Sequence, residues 1–356
     1  MNYLLLTPEL FTTDGGIARI LRLYLKAMCE ISADGDRVRF LSLNDVNVDS
    51  TDLKRYSGKS LVEWEACGRS KARFIRAALR MGMASDKIVC GHVAQLPVAW
   101  LVSKLRPRLS YYLVAHGIEV WRPFSLLERR ALMGARCIFC VSEYTRQQLL
   151  GRCPLPPGKT SVLHNALDPF LDPGTQAPAN AGPPVILSIS RLSVADSYKG
   201  IGNLIAAMPL VRASIPDAKL RIVGRGDGLR GLQAQARQLQ LEGAVEFAGF
   251  VSDSDLKGEF GNCRLFALPS EKEGFGLVYL EAMAHGVPSL AARSGGAPEV
   301  ITEETGVLVV YGDVPGIASA IVGALRRQWD TGALRDRARI FSFSKFRDRL
   351  ASLLHE

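Results

Sequence analysis

At 356 residues, with 47% hydrophobic and 22% charged side chains, the chain has the composition of a soluble globular protein and is too long for one ordinary core, so two domains are expected. No apolar run is long enough to span a bilayer, and seven cysteines without framework spacing fit a reducing cytoplasm rather than a disulfide scaffold. The net charge of +9 sits in the first half, where residues 1–170 hold 24 Lys and Arg against 15 Asp and Glu, an imbalance that suggests an anionic surface as partner.

Met1–Leu6 lacks a basic leader and a cleavage site and reads as the start of a first strand, Tyr3–Thr7, rather than a signal peptide. Thr13-Asp-Gly-Gly16 follows, before the helical run Ile17–Met28. Paired glycines here let backbone approach a phosphate closely, or simply turn the chain. Asp34-Gly-Asp36 has the form of a metal-binding pair. It falls between a helix and the strand Val38–Leu43, where Asp-Gly is turn chemistry. No metal role is assigned to it, nor to Asp253-Ser-Asp255 at a helix entry.

From Arg69 to Met83 the spacing predicts a helix without acidic residues. At 100° per residue Arg69, Arg73, Arg76 and Arg80 share one stripe, with Phe74, Ile75 and Ala78 roughly opposite. Two descriptions fit equally: a basic face docking on anionic lipid, or a solvated basic face over a core-facing one. Lys104, Arg106 and Arg108 form a second basic cluster. Nucleic acid is the competing anion, and no motif or aromatic platform supports it.

Lys87–His92 and Ser110–Gly117 are strands ending near His92 and His116, at the carboxyl edge where a parallel sheet presents ligands. A structural hydrogen-bonding role is the commoner one for such a residue. Cys137-x-x-Cys140 lies in an apolar strand, its cysteines on opposite faces, and belongs to the core. Ser142 is placed to cap the next helix, and Thr160–Asn165 is a further strand. Six strand-like runs alternating with helices describe a doubly wound domain over 1–168.

Residues 169–183 fill with Pro, Gly, Ala and Asn and read as a linker. Alternation restarts over 184–335, with strands at Val185–Ile189, Lys219–Val223, Val245–Phe247, Leu265–Leu268, Ser289–Ala291 and Val307–Val310. This is a second Rossmann-like domain. Arg191 ends its first strand and Lys199 precedes the next helix. Cations so placed can converge on a diphosphate, or be surface charges. Gly224-Arg-Gly-Asp-Gly228 is a glycine-rich turn between strand and helix. No complete Walker-type motif occurs, which disfavours an ATPase.

Leu265–Leu268 is closed by Pro269-Ser270, and Leu277–His285 has helical spacing stopped by Gly286 and Pro288. Between them lies Glu273-Gly-Phe-Gly276. Unbonded N–H groups and the positive dipole end at that helix start suit phosphates. Glu281 falls in an apolar run, where a buried carboxylate needs a partner. On physics alone, ordinary scaffolding and a ligand site remain balanced readings of the two glutamates.

The string Pro269-Ser-x-x-Glu273-Gly-Phe-Gly-Leu-Val-x-Leu-Glu281-Ala-Met-Ala-x-Gly286 resembles the signature of the retaining GT-B glycosyltransferases of family 4. Ser190-Arg-Leu192 with Tyr198-Lys-Gly200, and Gly295-Gly-Ala-Pro-Glu299, extend the match over much of the chain. The resemblance implies an α/β GT-B fold, two Rossmann-like domains facing across a cleft, with a basic C-terminal helix, 336–356, returning to the first. It implies transfer of a hexose such as mannose or glucose from a GDP- or UDP-linked donor to an acceptor hydroxyl, with retention. No metal or other cofactor is expected, because Arg191 and Lys199 already supply positive charge. The expected acceptor is a lipid-linked or polysaccharide-precursor glycan. The alternative is a sugar-nucleotide epimerase or a non-catalytic binding protein on the same scaffold.

The resemblance also implies roles for residues. Arg191 and Lys199 hold the diphosphate, aided by backbone at Gly274, Phe275, Gly276 and Leu277. Glu273 bonds the transferred sugar, Glu281 the ribose, and His116 faces the sugar, with His92 a weaker candidate on the acceptor side. Gly15 and Gly16 approach the diphosphate and acceptor, while Gly224 and Val251 border the nucleotide. Glu299 holds its turn.

Overall fold

The computed structural model describes residues 1–13, 15–171 and 182–355. Asp14 of the first glycine turn and most of the expected linker therefore lie outside the described residues, as do the side chains of Asp253 and Ser254. The chain divides into two compact units, Met1–Asp168 with Ser342–Glu356, and Pro169–Phe341.

The first unit alternates β1 (Asn2–Thr7), α1 (Gly16–Ile31), β2 (Arg37–Ser42), α2 (Ser50–Tyr56), β3 (Leu61–Ala66), α3 (Lys71–Met83), β4 (Lys87–Cys90), α4 (Leu96–Leu105), β5 (Ser110–Ala115), α5 (Leu126–Gly134), β6 (Cys137–Cys140), α6 (Glu143–Arg152) and β7 (Thr160–Val162). Among the described residues these strands form one parallel sheet in the order β3-β2-β1-β4-β5-β6-β7. Helices cover its inner strands, so Leu4, Leu5, Val38, Phe40, Ile88 and Leu113 are fully buried. The chain direction along the sheet reverses between β1 and β4, which is where open parallel sheets bind ligands at their carboxyl ends.

β3 is absent from the six strands expected of this half. It is an edge strand whose Val62 and Trp64 stay 52% and 41% exposed, while Glu63 and Glu65 serve arginines on neighbouring elements. A strand with little buried face shows little apolar alternation in sequence.

The second unit runs β8 (Val185–Ile189), α7 (Ile201–Ser214), β9 (Lys219–Val223), α8 (Leu229–Gln238), β10 (Val245–Gly249), α9 (Asp253–Gly261), β11 (Leu265–Leu268), α10 (Leu277–Ala284), β12 (Ser289–Ala292), α11 (Ala297–Val300), β13 (Gly306–Val309), α12 (Val314–Arg326) and α13 (Thr331–Ile340). Its parallel sheet has the order β10-β9-β8-β11-β12-β13, with the switch point between β8 and β11.

The expected single terminal helix is two. α13 stays in the second unit against α10, and α14 (Phe343–His355) belongs to the first unit, on α1. The helix breaks at Phe341, whose ring packs edge-on against Phe275 at 5.4 Å, whereas Phe346 meets Tyr24 at 5.0 Å in the other unit. The segment thus divides its buried aromatic side chains, Phe341 in the second unit and Phe343 and Phe346 in the first.

Candidate active site

The loops leaving β8 and β11 flank the switch point of the second unit, and they are joined at three places. Gly200, at φ 78°, lies so close to Pro269 that an added Cβ would sit 2.4 Å from its carbonyl oxygen. The Glu271 N–H donates to the Tyr198 carbonyl at 2.8 Å. The Lys199 ammonium donates to Glu273 Oε2 at 2.8 Å, with 19% and 15% of the two side chains exposed. Burial alone would lower the Lys199 pKa, but the Glu273 charge and hydrogen bond outweigh it and hold the amine above its usual value. The lysine thus remains a cation in a largely enclosed position.

Arg191 is 73% exposed and reaches Asp196 at 3.1 Å, and Tyr198 donates its hydroxyl to the same carboxylate oxygen. Both expected cations are therefore tied to the short 3-10 segment Val194–Lys199.

Close backbone packing fixes the Glu273 turn. The Gly296 N–H donates to the Glu273 carbonyl at 2.8 Å, and an added Cβ on Gly295 would lie 2.1 Å from that oxygen. The turn is thus held by Gly295 and Gly296, with Glu299 taking part through its backbone N–H on Gly296 and its carbonyl on Arg337. Gly276, at φ 100°, opens α10 with no side-chain cap and no acid in the first turn. The start of α10 keeps the electropositive character expected of an anion-binding helix end. Glu281 lies half-buried on α10. The Phe275 ring is turned into the core, so it is the backbone here that can face a ligand.

Gly224 has a structural reason for lacking a side chain. At φ 149° its Cβ would fall 1.8 Å from the Ser190 carbonyl oxygen, and that of Gly226 2.2 Å from Leu192. The glycine turn is thus pressed onto the segment carrying Arg191. Gly224 N–H also bonds Gly249 at 2.7 Å, bringing the loop of half-buried Val251 to the same edge. There Phe250, 51% exposed, lies 4.6 Å from the Arg225 guanidinium carbon.

In the first unit, His116 follows β5 and is buried. Desolvation drives its pKa down to about 4, so the ring is neutral near pH 7. Its Nε2 lies 2.8 Å from the Gly91 carbonyl, which makes Nε2 the donor and leaves Nδ1 an acceptor. The expected contact with a sugar is thus restricted to accepting a hydroxyl proton. His92 Nδ1 accepts from Ala94 N–H at 3.1 Å and caps a short turn. Gly15 precedes α1 with ordinary φ −69°, and the nearest atom to an added Cβ is Thr13 Oγ1 at 3.7 Å. Among the described residues of the unit nothing requires glycine at 15, which leaves room for close approach from outside.

The basic stripe changes most. Arg69 is not on the helix: it sits at φ 69° behind Gly68, and Ser70 caps α3 by accepting from Arg73 N–H. Arg73 and Arg80 pair with Glu65 at 3.5 and 3.1 Å, and Arg80 also meets Glu63. Arg76 is exposed, and so is Ile75, expected on the buried side. β3, the strand unseen in the sequence, supplies the carboxylates that pair with Arg73 and Arg80.

Asp45 is a residue the sequence reading passed over. Fully buried after β2, its carboxylate accepts from Leu10 and Thr12 N–H at 2.8 Å, Phe11 N–H at 3.2 Å, and the Thr12 and Ser42 hydroxyls at 2.6 Å. It moors the loop from β1 towards Gly15. An Asn-Asp pair at a strand end was the available signal, and it reads as turn chemistry.

Residues 175–340 match the family described as glycosyl transferases group 1, and residues 15–169 match glycosyltransferase family 4. A GDP-mannose-dependent alpha-(1-6)-phosphatidylinositol monomannoside mannosyltransferase of Mycolicibacterium smegmatis is 34% identical over 64% of this chain and 64% of its own length. The protein of that name from Mycobacterium tuberculosis is 30% identical over 68% of this chain and 71% of its own. A glycogen synthase of M. tuberculosis is 34% identical over 50% of the chain and 42% of its own. The matches therefore span between two fifths and about seven tenths of these relatives. The structure of Anabaena Alr3699/HepE in complex with UDP aligns with all of this chain and all of its own at TM-score 0.79 and 21% identity, a likeness of fold. With two Rossmann-like units and these matches, the chain belongs to the group 1 glycosyl transferases of glycosyltransferase family 4 and has the GT-B fold.

Proposed function

We propose that this protein transfers a hexose from a nucleoside-diphosphate sugar to the hydroxyl of a lipid-linked or polysaccharide-precursor glycan, with retention at the anomeric carbon. The observation that carries the reading is the contact between Lys199 and Glu273. In such a donor the anomeric carbon is bonded to the β-phosphate, so a cation for phosphate and a carboxylate for sugar hydroxyls must adjoin. Relatives named for GDP-mannose-dependent mannosyl transfer to a phosphatidylinositol mannoside support the donor and acceptor classes.

Lys199 and Arg191 take the role of stabilising the leaving diphosphate, with the N–H groups at the start of α10 beside them. Glu273 orients the sugar, Glu281 the ribose, and His116 Nδ1 accepts from a sugar hydroxyl. Gly15 and Gly16 admit the diphosphate and acceptor, and the Gly224 and Val251 loops border the nucleotide. The acceptor oxygen bonds to the anomeric carbon as the bond to the β-phosphate oxygen breaks. The acceptor proton passes to that departing phosphate on the same face, giving glycoside and nucleoside diphosphate. The two cations provide the charge that a divalent metal would otherwise supply, so turnover in chelator is expected.

A panel of GDP- and UDP-sugars tests this. Nucleoside diphosphate is released only with acceptor present, and mass spectrometry and the anomeric coupling constant identify an α-linked product from an α-linked donor. Conversion of donor to another sugar nucleotide without acceptor would establish an epimerase instead. Unchanged turnover in both Arg191→Ala and Lys199→Ala would remove the assigned roles.

A further inference from the structure

The first unit has a second exposed feature on its helical surface. α4 and α5 pack together and frame a shallow groove of ≈ 540 Å³ lined by Trp100, Lys104, Leu126, Arg129, Arg130 and Met133, with Gly134 at its base. Two aliphatic side chains of its lining stand out, Leu126 at 77% exposed and Met133 at 47%, and Leu105 (59%) and Leu127 (47%) are exposed on the same two helices. Single exposed apolar residues are ordinary, but a cluster of this kind on two adjacent helices marks an interaction surface.

The charges between these residues have one sign. Lys104 and Arg130 have no ion pair among the described residues, and the Lys104 ammonium lies 5.6 Å from the Trp100 ring centre. Arg129 donates Nε to the Phe124 carbonyl at 3.3 Å and meets no carboxylate among the described residues. The one acid on α5, Glu128, is already bound by Arg122 and by Ser125, which hold its pKa down to about 2. This differs from α3, whose Arg73 and Arg80 are neutralised by β3.

We propose that the α4–α5 face docks on the headgroup layer of an anionic phospholipid bilayer. Protruding Leu and Met side chains enter the acyl boundary, while Lys104, Arg129 and Arg130 extend their aliphatic stems along it and hold their charges at phosphate level. Trp100 fits the same boundary, where an amphipathic ring is favoured. Nucleic acid is a poorer match, because one aromatic ring is no stacking platform. A protein partner would bury the leucines but leaves the one-sided charge without a stated complement. The proposal stands on this surface alone and does not depend on the transferase reading.

The full chain is sedimented with vesicles of phosphatidylcholine, with and without phosphatidylglycerol. Binding is expected only with the anionic lipid, and to weaken as salt rises. Each cation contributes roughly fivefold to partitioning, so Lys104→Glu with Arg129→Glu and Arg130→Glu lowers it at least ~100-fold. Leu126→Gln with Leu127→Gln lowers binding at a fixed anionic content while leaving the fold intact, since both side chains are exposed. Arg76→Glu on α3 leaves it near the wild-type value. Absence of binding to anionic vesicles, equal binding by the triple variant, or greater loss from Arg76→Glu would each overturn the proposal. So would a concentration-dependent dimer, without lipid, that the leucine variants abolish. Donor turnover on a water-soluble acceptor is measured alongside: its retention in the triple variant separates failed docking from a failed transferase reading.

Discussion

The Lys199 ammonium and Glu273 carboxylate are separated by 74 residues in sequence and by 2.8 Å in space. Removing either partner strands the other in a poorly hydrated place, at a cost on the order of 3 kcal/mol. Lys199→Ala is expected to lower kcat/KM for the donor about 100-fold or more, read from initial rates of nucleoside diphosphate release. In Glu273→Gln the burial of Lys199 persists without its offset, so the amine titrates lower than in the wild type. Nucleotide affinity measured by calorimetry should then fall away at a lower pH. His116 gives a second pH effect, on stability rather than on binding. Its ordinary pKa of 6.5 is reached in the unfolded chain, whereas the buried ring holds about 4. The unfolded state alone takes up the proton between those values. Stability is therefore full above about pH 6.5 and falls as pH drops towards 4, by on the order of 3 kcal/mol. Urea midpoints across that window measure the slope, and His116→Asn should flatten it. Sequence motifs pointed to Glu273, Lys199 and His116, but neither the ion pair nor the depth of the histidine is a local property.

At the scale of elements, glycines divide into those the fold requires and those it leaves open. Gly295 is required: with φ at 63°, alanine is strained and its Cβ meets the Glu273 carbonyl. Gly295→Ala is predicted to displace the Glu273 turn, lowering turnover at least tenfold while the melting temperature falls by only a few degrees. Equal activity in that variant would detach the turn from the chemistry. The Asp45 carboxylate instead organises a loop. Asp45→Ala leaves three backbone N–H groups and two hydroxyls without their acceptor, and a loss of about 3 kcal/mol or more is expected in denaturant unfolding. The α3 stripe shows where periodicity misleads. The 100° rule placed Arg69 correctly for a helix that began there, but Ser70 starts the helix after a left-handed turn. Capping geometry, not spacing, set the boundary.

For the whole molecule, the terminal helix belongs to the unit the chain left at Asp168. α14 buries Phe343, Phe346, Leu350, Leu353 and Leu354, and Arg347 reaches Glu30 at 3.1 Å. Five such side chains amount to about 10 kcal/mol of burial, comparable with the net stability of a domain. Truncation after Phe341 should therefore remove or sharply lower the unfolding transition of the first unit in scanning calorimetry. The transition of the second unit, whose residues all remain, should persist. Two unshifted transitions would mean that α14 is dispensable.

The sequence by itself determined the alternation of strand and helix apart from β3, the two Rossmann-like units, and the residues that gather at the carboxyl edges of the strands. Those follow from local periodicity, turn chemistry and a long motif, all readable along one stretch of chain. Only the tertiary structure decided which charges neutralise one another, which histidine nitrogen faces a carbonyl, and where the last helix divides. Such features arise from pairs of residues brought together by packing. Arg80 is an open cation in the sequence and a bound one in the fold because an edge strand lies beside it. Lys104 and Arg130 have no ion pair among the described residues.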